Sequence, residues 1–195
     1  MTRQINDLLL VGPSGSGKKT LQGCLVYKLG MDLSLLGKLE KHGAKRYEQI
    51  PPFLEAQGVE AGFETKSMVW RITDSSPCDT TLFVLDATSS PQSSAEFVES
   101  STQLEKVNEH TACLFAVNKM DQVNWSRDMY EAHLRELSRV MKRDVMSSAV
   151  ALSALEGYNI LEAPPIAQAQ QGGSDAKAET ETLVELLDRA QVSES

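Results

Sequence analysis

Nine residues near the start of the chain have the types and spacing of a phosphate-binding site. Residues 12–20, with the sequence GPSGSGKKT, follow an apolar run at 8–11 and precede a helical pattern. This order of strand, glycine-rich loop and helix lets backbone N–H groups and a helix N-terminus surround an anion. Lys18 would reach the terminal phosphates. Lys19, however, stands where the pattern has the Ser or Thr that holds Mg²⁺.

A second polar loop, Asn118-Lys119-Met120-Asp121, comes directly after the apolar run 114–117. A carboxylate at Asp121 can accept hydrogen bonds from N1–H and the exocyclic amine of guanine, whereas adenine has no such pair of donors and would leave it unpaired. The Lys119 stem can lie over the base, and Asn118 can tie this loop to the phosphate loop. This loop therefore predicts guanine as the base.

The third loop is Ser153-Ala154-Leu155, which follows the last apolar run of the sheet pattern. The backbone N–H of Ala154 could donate a hydrogen bond to the guanine carbonyl. The tripeptide has no meaning alone, but in this position it adds to the prediction from the first two loops.

Apolar strands alternate with amphipathic helices along the chain, which predicts an α/β fold with a mostly parallel central sheet and helices on both faces. Asp32 and Ser126 are predicted helix caps, and 43–58 reads as irregular because Pro51-Pro52 interrupts it. Asp86 ends a strand and is interpreted as structural. The predicted strands and helices beyond the phosphate loop include 67–73, 80–85, 93–108, 111–117, 126–142, 149–152 and 180–191.

Composition limits the partners that the chain is expected to have. A net charge of −8 argues against a broad nucleic-acid surface. No apolar run is long enough to predict a membrane span, and the N-terminal residues do not read as a signal peptide. Three cysteines without a pairing pattern are typical of reduced thiols. We therefore expect a cytoplasmic protein without membrane contact.

The three loops and their surroundings resemble the G domain of the translational GTPases, the group of elongation factor 1-alpha, the class II release factor and the ribosome-rescue GTPase. The resemblance is closest at 118–126, NKMDQVNWS, and extends over most of the chain, including 25–28 and 182–188. It implies the P-loop NTPase three-layer fold. It also implies a G-domain core at 1–162 and a last helix at 179–195 that packs back on it, without the β-barrel domains of these factors. The stretch between them, 163–178, is predicted to be a flexible linker because it is rich in Pro, Gln and Gly.

The resemblance also shows where the sequence departs from the family's hydrolytic residues, which sense Mg²⁺ and the γ-phosphate. Lys19 replaces a Mg²⁺ ligand, and no switch-one threonine stands at 58–60. The switch-two motif becomes Asp74-Ser75-Ser76-Pro77, and Pro77 has no N–H to donate to the γ-phosphate. Cys78 stands in place of the catalytic histidine. The switch-two helix is missing as well, and one alternative alignment also removes the third strand, which would expose its neighbour.

The expected function is GTP or GDP binding with weak or lost hydrolysis, and no catalytic residue is assigned. Two alternatives stay open: a nucleotide-free pseudo-GTPase that contacts a ribosome or translation-associated protein, and an ATP-dependent P-loop enzyme, against which Asp121 argues. The metal site stays unknown, and Mg²⁺ binding is in doubt. The residues predicted to hold the nucleotide are Gly12, Ser14, Gly15, Ser16, Gly17, Lys18, Lys19, Thr20, Asn118, Lys119, Asp121, Ser153, Ala154 and Leu155.

Overall fold

The computed structural model describes residues 4–75, 77–104, 111–163 and 181–192. None of the helices in these ranges has the length and the apolar sequence that a membrane span requires. Short 3₁₀ turns lie at Tyr47–Gln49, Met120–Val123 and Met146–Ser148. The strands and helices, in chain order, are β1 (Ile5–Val11), α1 (Lys18–Leu29), α2 (Leu33–His42), α3 (Ile50–Ala56), β2 (Gly62–Glu64), β3 (Val69–Thr73), β4 (Thr80–Asp86), α4 (Pro91–Leu104), β5 (Ala112–Asn118), α5 (Arg127–Met141), β6 (Ala149–Ala151) and α6 (Leu183–Val192).

The strands form a single six-stranded sheet in the order β2-β3-β1-β4-β5-β6. All neighbouring pairs are parallel except β2 and β3, which form an antiparallel edge. The predicted α/β fold with a mostly parallel sheet is therefore confirmed. Because β1, β4, β5 and β6 run in the same direction, the loops that follow them lie at one edge of the sheet, where ligands of such folds bind.

Alternating residues of β4 show that helices cover both faces of the sheet. Leu82 and Val84 are buried in a cluster with residues of α1 and α6, whereas Phe83 and Leu85 are buried with residues of α4 and α5. A strand buried on both faces reads as a continuous apolar run, as the sequence of β4 does. The domain thus has three layers, with helices on either side of the sheet.

The connection from β3 to β4 is unusually short. The two strands flank β1 in parallel, and only residues 74–79 join them, with no helix among the described residues and Ser76 lying outside them. Parallel strands ordinarily need a crossover of about a dozen residues. The backbone N–H of Asp79 donates to Asp7 O at 3.1 Å, and the Asp7 N–H donates to Asp79 Oδ2 at 2.7 Å, which holds the connection beside β1.

On the face of β1 that carries Asp7, the first residue of the strand, Ile5, is 61% exposed, whereas the residues further along are polar or more covered. Asp7 of β1 accepts two hydrogen bonds from the Arg71 guanidinium on β3, at 2.7 and 2.8 Å. These bonds hold the pKa of the Asp7 carboxyl below its ordinary value. Leu9, the next residue of β1 on the same face, is only 6% exposed. The third strand, which one alternative alignment removes, is present as β3 and is covered at its edge by β2.

Several element boundaries differ from the sequence prediction. Asp32 and Ser126 cap α2 and α5 as predicted. The stretch 43–58, predicted to be irregular, contains α3, with Pro51 and Pro52 in its first turn, where the missing N–H groups cost nothing. The end of the helix predicted at 93–108 lies outside the described residues from 105, as does nearly all of the predicted linker, at 164–178.

Two glycines provide a matched test of the packing around α1. A Cβ at Gly23 in α1 would lie 1.9 Å from Tyr47 O, whereas a Cβ at Gly37 in α2 would meet nothing within 4 Å. We expect Gly23→Ala to destabilise the fold by about 1–3 kcal/mol through overpacking. Gly37→Ala should stabilise it by about 0.5–1 kcal/mol, because alanine has less backbone freedom to lose. Thermal unfolding of both variants measures this, and equal effects would contradict the close packing of Tyr47 on α1.

Candidate nucleotide-binding site

The loop between β1 and α1 has the backbone geometry of an anion site. Gly15 and Gly17 have φ values of 81° and 95°, which glycine adopts without strain. Gly17 provides no side-chain cap, so the first N–H groups of α1 stay available to a ligand. The Lys18 ammonium donates to Gly12 O and, at 2.9 Å, to Pro13 O. Burial lowers the pKa of Lys18.

Asn118, the last residue of β5, joins the three predicted loops. Its side chain is 2% exposed, its Nδ2 donates to Ser16 O at 2.9 Å, and its Oδ1 accepts the backbone N–H of Ala154 at 2.9 Å. A Cβ at Gly17 would lie 2.3 Å from Asn118 Nδ2, so only glycine fits there. The structure therefore brings residues separated by more than half of the chain into one hydrogen-bonded junction.

Asp121 lies just beyond this junction, in the 3₁₀ turn Met120–Val123. Its Oδ1 is buried and has no hydrogen-bond partner within the described part of the chain. A buried acceptor without a donor is costly, since it has given up its hydration. The geometry is thus suited to a ligand that supplies N–H donors at this position, and the edge of guanine does so. The Ser16 hydroxyl, buried in the phosphate loop, is likewise without a partner among the described residues.

Lys119 is held by an ion pair that the sequence prediction did not include. Its Nζ lies 2.5 Å from Asp86 Oδ2, and the two side chains are 26% and 19% exposed. Thr88 donates to Asp86 Oδ1 from its N–H and its hydroxyl, at 2.9 and 2.7 Å. Burial alone would raise the pKa of Asp86, but the hydrogen bonds from Lys119 and Thr88 outweigh it and lower that pKa. The signal in the sequence was an Asp-x-Thr directly after a strand, which is typical of an Asx turn.

The residues of the third loop differ in their exposure to solvent. Ser153 and Ala154 are buried, and the Ala154 N–H donates to Asn118 rather than standing free. Leu155 is 57% exposed. It lines a pocket of about 380 Å³ together with Tyr27, Tyr47 and residues 44–46. None of residues 12–20 lines this pocket, so it is distinct from the phosphate loop.

Cys78, which stands in place of the catalytic histidine, lies away from the phosphate loop. Cys78 comes two residues before Thr80, which pairs with Leu8 of β1. The phosphate loop begins at Gly12, just past the end of β1 and four residues after Leu8. At the rise of a parallel strand, Gly12 is therefore about 13 Å from Leu8. Lys19 is exposed. Within the described ranges no group of three or more His, Cys, Asp or Glu residues is arranged to hold a metal ion.

Curated proteins of similar sequence are elongation factors. The chain is 25% identical to elongation factor 1-alpha of Blastobotrys adeninivorans, over 93% of this chain and 49% of that protein. It is 26% identical to elongation factor 1-alpha of Plasmodium falciparum, over 95% of this chain and 48% of that protein. The chain thus spans about half the length of the curated relatives it matches. No protein-family profile matches it.

Solved structures that share the fold include two that hold GDP. Sup35 complexed with GDP superposes with a TM-score of 0.65 at 21% identity, over 96% of this chain and 45% of that one. The Ski7 GTPase-like domain of S. cerevisiae, bound to GDP and inorganic phosphate, gives a TM-score of 0.62 at 16% identity, over 99% of this chain and 51% of that one. A G domain of the translational-GTPase type therefore fits both the similar sequences and the shared fold.

Proposed function

We propose that the chain binds GTP or GDP through its three loops and hydrolyses GTP weakly or not at all. The observation that carries this proposal is the Asn118 junction, where one buried side chain bonds Ser16 O and the Ala154 N–H. A polar junction of this kind positions a phosphate loop and a base-recognition loop around one ligand. The GDP held by Sup35 and by Ski7, whose folds the chain shares, supports the same class of ligand.

The preference of the site for guanine over adenine follows from Asp121. Its buried Oδ1 has no donor within the described residues, and N1–H and the exocyclic amine of guanine would satisfy the carboxylate. An adenine base would leave the carboxylate buried and unpaired, which argues against an ATP-dependent enzyme. A titration with fluorescent GDP tests this. We expect saturable binding that GTP and GDP compete away and ATP does not.

The proposal of weak hydrolysis rests on groups that are missing from the region that should contact the γ-phosphate. Pro77 has no N–H to donate, and the short β3–β4 connection places Cys78 toward the opposite end of the sheet from the phosphate loop. Residues 58–60 contain no threonine to hold a metal. We therefore propose a nucleotide-binding protein in which the base-recognising parts are retained and the hydrolytic parts are lost.

Lys19 leads to a test of the metal requirement. We propose that its ammonium takes over part of the charge neutralisation that Mg²⁺ provides in other phosphate loops. GDP affinity of the unaltered chain should then change less than about twofold between Mg²⁺ and EDTA, since the Lys19 ammonium still supplies positive charge beside the phosphates. Lys19→Ser should weaken binding in EDTA and make it depend on Mg²⁺.

Parallel titrations of the two proteins, each with and without Mg²⁺, measure this effect. Lys38→Ser, on the exposed side of α2, is the matched control for loss of one positive charge. Binding that collapses in EDTA, or an affinity that rises on restoring serine at position 19, would contradict the role proposed for Lys19.

A second candidate function is an interaction module that needs no nucleotide and contacts a ribosome or a translation-associated protein. The observation in its favour is that groups predicted to bind the ligand already have protein partners. The Lys18 ammonium donates to Gly12 O and Pro13 O, and the Ala154 N–H donates to Asn118. If the chain failed to bind GDP at tens of micromolar but still unfolded cooperatively, the nucleotide-binding proposal would be excluded and this second candidate would remain.

A further inference from the structure

Asp86 lies at a place where it can control the base-recognition loop. It is the last residue of β4, and its register partner on β5 is Asn118, the residue before Lys119. The next residue, Ala87, is fully buried and donates its N–H to Asn118 O at 2.8 Å. The ends of the two strands are therefore fixed relative to each other.

The carboxylate of Asp86 has one defined orientation. Oδ1 accepts two hydrogen bonds from Thr88, and Oδ2 is left to face Lys119 Nζ at 2.5 Å. The turn itself is held in addition by Ser89, whose hydroxyl donates to Asp86 O at 2.7 Å. An oriented, mostly buried carboxylate binds an ammonium group far more firmly than a mobile surface carboxylate does.

The backbone of Lys119 is equally restricted. Its φ of 65° is left-handed, and its neighbours Asn118 and Met120 are each 2% exposed. A lysine side chain has four rotatable bonds, so a free one would lose much conformational freedom on packing against a ligand. Because both ends of the side chain are fixed, the stem of Lys119 is ordered before any ligand binds. Ligand binding therefore causes little further loss of side-chain conformational entropy.

We propose that Asp86 is a positioning residue of the nucleotide site, which holds Lys119 so that its stem forms one wall of the slot for the guanine base. This inference rests on the guanine-nucleotide binding proposed above. Asp86 acts through Lys119 and has no contact with the nucleotide itself. The Asp86–Lys119 pair thus sets how long the base stays bound.

Asp86→Asn is the direct test, because the amide oxygen can still accept from Thr88 while the charge is lost. In fluorescent-GDP titration and dissociation kinetics of the full chain, we expect Kd to rise roughly fivefold through faster dissociation. Asp86→Glu, which restores the charge, should recover part of the affinity. Thr88→Val is a second route, since it loosens the carboxylate without altering either member of the pair.

A double-mutant cycle separates positioning from mere structural support. In a Lys119→Met background, Asp86→Asn should change Kd by less than about twofold, because the side chain it positions is gone. Equal losses in both backgrounds, or wild-type affinity for Asp86→Asn, would overturn the role of Asp86 while leaving GDP binding intact. Failure of the unaltered chain to bind GDP would instead overturn the proposed function, and this inference with it.

Discussion

Replacing Asp121 with asparagine should weaken GDP binding by about a hundredfold or more. The variant loses the charged acceptor for two guanine donors, each worth about 1.5–3 kcal/mol as a charge-assisted hydrogen bond. It also turns an amide N–H₂ toward the ligand, which repels the exocyclic amine of guanine but suits the C2 carbonyl of xanthine. We therefore expect affinity for xanthosine diphosphate to rise as that for GDP falls, measured by competition against fluorescent GDP on the unaltered chain and by direct titration of the variant.

Asp128→Asn is the matched control for Asp121→Asn. Asp128 lies in the first turn of α5, only seven residues away, and its side chain is exposed. The same substitution there should leave GDP affinity within about twofold, because no base contact is altered. Equal losses in the two variants would show that Asp121 does not read the base. A loss of GDP binding without any gain for xanthosine diphosphate would point to a structural role for its buried oxygen.

The sheet and its connections were largely predictable because their signals are local. β4 and β5 are apolar throughout, as strands buried on both faces must be. Asp32 and Ser126 mark helix starts through side-chain hydrogen bonds to residues three positions later. The phosphate loop was found from its glycines and from Lys18. In each case the residues that decide the structure lie within a few positions of one another.

Two elements were not predicted, since tertiary contacts decide them. β2 is three residues long, Gly62–Glu64, and exists by pairing with β3, with Phe63 buried against Trp70 at that edge. α3 was concealed by Pro51 and Pro52, which read as helix breakers until their place in the first helical turn is known. Such short segments have too few residues for a periodic pattern to appear.

The site was predicted as three loops, together with one of the two hydrogen bonds that join them. The sequence pattern indicated that Asn118 could reach the phosphate loop. The second bond, from the Ala154 N–H, depends on how β5 and β6 align. The same holds for Asp86, whose pairing with Lys119 follows from the register of β4 and β5 rather than from residue spacing. Side chains that act across strand ends become evident only after the sheet is assembled.

Asn118→Ala should both destabilise the domain and abolish GDP binding. The substitution leaves Ser16 O and the Ala154 N–H without their partner in a region where Asn118 is 2% exposed. Two buried groups left unpaired cost about 2–4 kcal/mol together. For a chain of this size that corresponds to a fall in Tm of roughly 5–15 °C. Thermal unfolding and fluorescent-GDP titration of the same preparation measure both effects.

Gln122→Ala is the matched control for Asn118→Ala, because it truncates another side chain of the same loop. Gln122 is exposed and lies four residues after Asn118 in the turn Met120–Val123. Its truncation should shift Tm by less than about 2 °C and leave GDP affinity unchanged, as expected for a surface side chain. If Asn118→Ala were equally harmless, the three loops would be independent and the junction would not define the site. GDP affinity should fall because the junction is what holds the base loop and the phosphate loop around one nucleotide. If Asn118→Ala instead lowered Tm but left GDP affinity intact at a temperature where the variant is folded, Asn118 would stabilise the edge of the sheet without organising a ligand site.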